Sequence, residues 1–185
     1  MSGSQLDALL GDAEDELLAE GSDAYLEARF DDPAERDAAV GWLSANPRSN
    51  ALLLLLALRR EAPEAYASVP AAARAQVLAA ALRERANLND FGYLDETGGH
   101  DREAGRALLE LGRDAVAALR PELDDSNAGQ LEGSEEATLT HVYGLRRADF
   151  AYRYLARILG REPEFDPDPA VRDRHIAALR DELDS

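Results

Sequence analysis

The histidines His100, His141 and His175 are the side chains of this 185-residue chain that titrate nearest neutral pH and most readily ligate a divalent metal. His100 is flanked by Asp95, Glu96 and Asp101, and His141 follows Glu135 and Glu136. Two imidazoles and a carboxylate brought together would bind zinc or exchange protons with a substrate. No HExxH spacing puts two of these histidines on one helix face, so such a site depends on two separate segments meeting. Solvated loop positions are the simpler expectation, with no catalytic group, no metal and no cofactor. His175 lies one turn before Leu179 and reads as a half-buried boundary residue. The absence of cysteine removes thiolate nucleophiles, disulfides and cysteine-based zinc sites. Gly98-Gly99 lacks the lysine and flanking pattern of a phosphate-binding loop.

Aromatic side chains offer a second kind of chemistry. Phe91 and Tyr93 lie in one polar stretch and Tyr143 in another. Aromatics in such places anchor partner proteins, or they plug a loop into its own core. With Glu135 and Glu136 they form the candidate partner-binding set. Tyr152 and Tyr154 fall within a helical pattern and are expected to pack. A further acidic surface at the N-terminus, including Asp12, Asp15 and Glu16, would suit a basic partner.

Charge narrows the choice of partner. Asp and Glu outnumber Lys and Arg by 37 to 20, for a formal net charge of -17. Such a surface repels nucleic-acid phosphates and anionic lipid headgroups, so another protein, possibly basic, is the expected partner. Every basic residue apart from histidine is arginine, which codon bias explains as well as binding does. Met1–Leu10 has no basic region followed by an apolar one, and the apolar run Ala51–Leu58 is far too short to span a bilayer. A cytoplasmic location is expected.

The elements that must position these residues are helical. Aromatics are 6% of the chain, and alanine and leucine dominate its apolar content, a mixture that favours helix on helix. Leu6–Ala19 is an amphipathic stripe ended by Gly21, and a short helix is expected near 23–30. Asp32-Pro33-Ala34-Glu35 opens another helix, with Glu35 placed to reach back; it stops before Asn46-Pro47. Ser49 or Asn50 is expected to cap the next helix, whose Ala51–Leu58 run is apolar on all sides and therefore central. Residues 63–70 read as a connection with room for one helical turn, and Pro70 opens a helix reaching about Asn87. Residues 87–100 lose the periodicity. Helices resume at Asp101–Leu111, ended by Gly112, and at Asp114–Leu123, broken or bent at Pro121. A second irregular stretch covers 126–144. Arg146–Leu159 is amphipathic and ends at Gly160, and Asp168-Pro169 caps a final helix over 168–185.

Within Ala104–Gly160 the succession Ala107-Leu108-Leu109-Glu110-Leu111-Gly112, Ala115–Leu119, Leu123-Asp124-Asp125 and Arg146-Arg147-Ala148 resembles a repeat of the bacterial HEAT-like proteins. The separation of Asp125 from Arg146 is longer than the few residues usual in that family. The resemblance implies stacked helix pairs, a protein-binding scaffold, and structural roles for Asp124 or Asp125 and for Arg146 or Arg147.

The expectation is thus a single all-α domain over 1–185 of about eight helices: N-terminal helices over 1–60, a HEAT-like core over 70–160 and a C-terminal helix. Its architecture is a short α-solenoid or an irregular helical bundle. Its expected role is non-catalytic protein binding. The alternatives are an immunity- or antitoxin-type inhibitor of a basic protein, and a metal-dependent enzyme using His100 and His141.

Overall fold

Pro33–Ala45 form α1, because Asp32 supplies a cap at the point where proline has no N–H to leave unsatisfied. The structure is a computed structural model that describes residues 30–84, 93, 103–129, 142–163 and 166–185. The Asp32 carboxylate accepts the Ala34 N–H at 2.9 Å. At the other end, the backbone and side-chain amides of Asn46 both donate to the Trp42 carbonyl, at 2.9 and 3.0 Å, and the helix stops before Pro47.

The next start differs from the expected cap. A 3-10 turn, Ser49–Ala51, leads directly into α2 (Leu52–Glu61), which begins after Ala51 without a side-chain cap. The tightened turn, with Ala51 N–H donating to the Arg48 carbonyl at 3.0 Å, takes the place of the cap expected from Ser49 or Asn50. Leu52 and Leu54–Leu58 are all buried, so α2 is as central as its sequence suggests.

Residues 63–70, expected as a connection with room for one helical turn, hold a six-residue helix, α3 (Pro63–Ser68). Pro63 occupies its first turn, and Tyr66 gives it a buried side chain that justifies the ordering. α1, α2 and α3 pack on one another. Pro70 precedes α4 (Ala71–Glu84). The chain divides into two compact units, Met1–Ala81 and Leu82–Ser185.

In the second unit, α5 (Glu103–Leu111) buries Ala104, Ala107 and Leu108 and ends at Gly112, whose φ of +56° is the left-handed conformation that glycine adopts without strain. The expected helix over Asp114–Leu123 is a mixed segment, with 3-10 turns at Gly112–Ala115 and Arg120–Asp124 around a single α turn at Val116–Leu119. Pro121 cannot donate to an i−4 carbonyl, and the backbone tightens around it. α6 (Arg147–Ile158) is followed by Gly160 at φ +78°. α7 (Pro169–Leu183) repeats the Asp-Pro start of α1: the Asp168 carboxylate accepts the Ala170 N–H at 2.9 Å. α6 is the hub of this unit, packed against α5, α7 and the mixed segment. Among the described residues there are seven α-helices of six residues or more and no strand. The protein is all-α.

Candidate functional site

Of the stretch 126–144, expected to be irregular, Val142 and Tyr143 are helical, and residues 125–129 pair through their backbone with residues 145–148. An isolated antiparallel bridge joins Ala128 to Arg146. The Gly129 N–H donates to the Leu145 carbonyl at 3.0 Å, Arg147 N–H to Asn127 at 2.9 Å, and Ala148 N–H to Asp125 at 3.0 Å. Asp125 also accepts the backbone and side-chain amides of Asn127, at 2.9 and 2.7 Å, and lies 3.9 Å from the Arg147 guanidinium. Gly129 is required by close approach: a Cβ there would sit 2.3 Å from Cε2 of the buried Phe150. Residues 125–129 and 145–148 are therefore tied together as a paired neck.

A buried ionic cluster holds the returning side of that neck. Asp149, in the first turn of α6, is 1% exposed and Arg172, in the first turn of α7, is 3% exposed. Arg172 Nε donates to Asp149 at 3.1 Å. Its Nη1 donates to the Asp166 and Pro167 carbonyls at 2.8 and 3.2 Å, and its Nη2 to those of Tyr143 and Gly144 at 2.7 and 3.1 Å. Asp149 also accepts the Arg146 backbone N–H at 2.8 Å, which satisfies a helix-start donor, and the Arg146 guanidinium at 3.0 Å. The Arg146 guanidinium lies 2.6 Å from Asp173 as well. Hydrogen bonding to Asp149, then to Asp173, raises Arg146 above its ordinary value. Two guanidinium groups and two carboxylates thus form a connected set that runs from the buried Asp149 and Arg172 to the exposed Asp173. Guanidinium groups do not release protons near neutral pH. What the cluster does in the fold is position backbone.

Tyr93 is 0% exposed, its ring set edge-on to Tyr154 with centroids 6.3 Å apart, and its carbonyl accepts the Tyr154 hydroxyl. It plugs the interior, as a large aromatic with a satisfied polar neighbour does, and offers no surface to a partner. Tyr143 is half-buried, and its carbonyl belongs to the Arg172 cluster. Beside it, Val142 is 65% exposed, an exposed large hydrophobic side chain. It did not stand out in the sequence, where a lone valine between His141 and Tyr143 carries no signal. His175 is half-buried as expected, with its ring stacked on Tyr152 at a centroid distance of 6.2 Å. Phe91, His100, Glu135, Glu136 and His141 lie outside the described residues, as do Asp12, Asp15 and Glu16.

Of the acidic and basic residues singled out by the HEAT-like pattern, Asp125 and Arg147 face each other, while Asp124 pairs with Arg180 of α7. No family model matches the chain, and neither a curated protein nor a solved structure matches it. Among the described residues no group of three or more His, Asp or Glu side chains could hold a metal ion, and no helix is long and apolar enough to cross a membrane.

Proposed function

We propose that this chain is a cytoplasmic, non-catalytic interaction module that binds a basic partner protein beside the neck formed by residues 125–129 and 145–148. The observation that carries this reading is Val142. Its aliphatic side chain, 65% exposed, is an apolar contact next to Tyr143 and Gly144, whose carbonyls accept from the buried Arg172. Backbone tied in this way lowers the ordering cost of association. The net charge of -17 favours encounter with a positively charged surface and explains why a basic protein is the better guess. Glu135 and Glu136, in the segment carried by this neck, would add to that attraction. HEAT-like stacking over Ala104–Gly160 would serve the same role by giving the module a broader binding face. The inhibitor reading, an immunity- or antitoxin-type protein, is a special case with the same charge complementarity.

A pull-down with the tagged chain from its native cytoplasm, read by mass spectrometry at low and high salt, tests this. One stoichiometric partner with a basic surface is expected at low salt, lost both at high salt and from a Val142→Asp variant that keeps its helical circular dichroism. Undiminished capture by Val142→Asp would move the site elsewhere, and no partner at either salt would remove the reading altogether.

A further inference from the structure

Glu122 lies in the 3-10 turn created around Pro121 and is 3% exposed. A buried carboxylate needs a partner, and the Arg83 Nη1, in the last turn of α4, donates to it at 2.9 Å. The two ends of this bond are unlike. The Arg83 side chain is 48% exposed and also bonds Glu84 at 3.0 Å, so water and Glu84 remain to it if Glu122 lets go.

The charges around Glu122 come from every element that packs there. α4 supplies Arg83 and Glu84, α6 supplies Arg147, and Asp125 follows the turn itself. At the surface α7 contributes Arg180 and Asp184, which pair with Asp124 and Arg120 of the same turn. Burial is the largest influence on Glu122 and outweighs Arg83, so its carboxyl is held above the usual glutamate value.

We propose that the Arg83–Glu122 pair is an acid-released link: when Glu122 takes up a proton, it stays buried in its turn and frees the last turn of α4. The sign of the accompanying stability follows from the raised value. Glu122's contribution to stability is full when the carboxyl is protonated, and it declines as pH rises through the folded value. Mild acid therefore loosens the link without unfolding the turn that carries it.

Amide hydrogen exchange on the intact chain reads this directly, as protection factors for Leu82, Arg83 and Glu84 compared at about pH 7 and at about pH 4, below the ordinary glutamate value of about 4.3. Protection of these three amides is expected to fall several-fold toward the lower pH, while α6 amides keep theirs. Glu122→Gln should show the lowered protection at both pH values, with its α6 amides unchanged. Should Glu122→Gln fail to fold, Arg83→Gln supplies the same comparison from the exposed side. Protection that is independent of pH in the native chain would overturn the proposal. So would a fall shared equally by α6, which would make Glu122 a general stability element.

Discussion

In the first unit α2 buries Leu52, Leu54, Leu55, Leu56 and Leu58 with no charged side chain among them, whereas in the second unit α6 and α7 bury Asp149 and Arg172 beside Phe150, Leu155 and Ile176. All three buried charged side chains among the described residues, Glu122, Asp149 and Arg172, belong to the second unit. The contrast follows from what each unit has to hold. α1 to α3 are joined by short turns, so their backbone groups are satisfied locally and apolar contact suffices. The second unit must also fix backbone where Tyr143 and Gly144 end a helical turn and where 166–167 lead into α7. Arg172 presents five N–H donors in one plane and meets the four carbonyls of Tyr143, Gly144, Asp166 and Pro167 together with Asp149. Apolar burial does not fix direction; a buried guanidinium does.

The widest test of that contrast is to remove the guanidinium. Arg172→Met keeps the apolar stem but leaves Asp149 with one cation fewer and four carbonyls without their donor. It is expected to cost the second unit about 3–5 kcal/mol, the range for breaking a buried pair from one side. Urea unfolding followed by exchange of α6 amides measures it. A cost below about 1 kcal/mol, typical of exposed pairs, would show that the cluster is replaceable packing.

The matching change in the first unit is Leu55→Ala, expected to cost about 2–5 kcal/mol from lost burial and the cavity left behind. Trp42 is the sole tryptophan and is buried in this unit, so its fluorescence in urea reports that transition. The two losses should differ in character. Leu55→Ala should be nearly independent of pH and salt, because no charge is involved. If its cost changed strongly with salt, the division of the units into apolar and ionic interiors would be wrong.

The same contrast explains which parts were legible in the sequence. The Asp-Pro starts at 32–33 and 168–169, the glycine ends at 112 and 160 and the leucine run of α2 were all readable, because each depends on residues close in the chain. α3 is legible only as one turn within a connection, because the six residues of Pro63–Ser68 are too few for a period to show. Pairs set by tertiary contact were not readable. Asp149 and Arg172 are separated by 23 positions, and in a chain whose fixed cations are all arginine nothing marks one arginine as special. One signal was present: Arg172 stands on the stripe that continues through Ile176 and Leu179, so a cation occupied a core position of α7. Glu122, between the buried Leu119 and Leu123, carried the same mark. For Tyr93 the sequence leaves plug and anchor both open, and its burial decides for the plug.

The smallest expected effect is also the control for the comparison. α1 and α7 begin with the same device, an aspartate accepting the N–H two residues on at 2.9 Å with proline between, once in each unit. Both aspartates are exposed, so neither draws on the interior around it. Asp32→Ala and Asp168→Ala should therefore cost nearly the same, about 1 kcal/mol each, in contrast to the core changes, which act through different physics. The first is read by Trp42 fluorescence in urea and the second by exchange of α7 amides. A markedly larger loss for Asp168→Ala would mean that the start of α7 is coupled to the Arg172 cluster four residues on. The ionic core would then reach out to the helix cap, and a local capping bond would have to be counted as part of the neck.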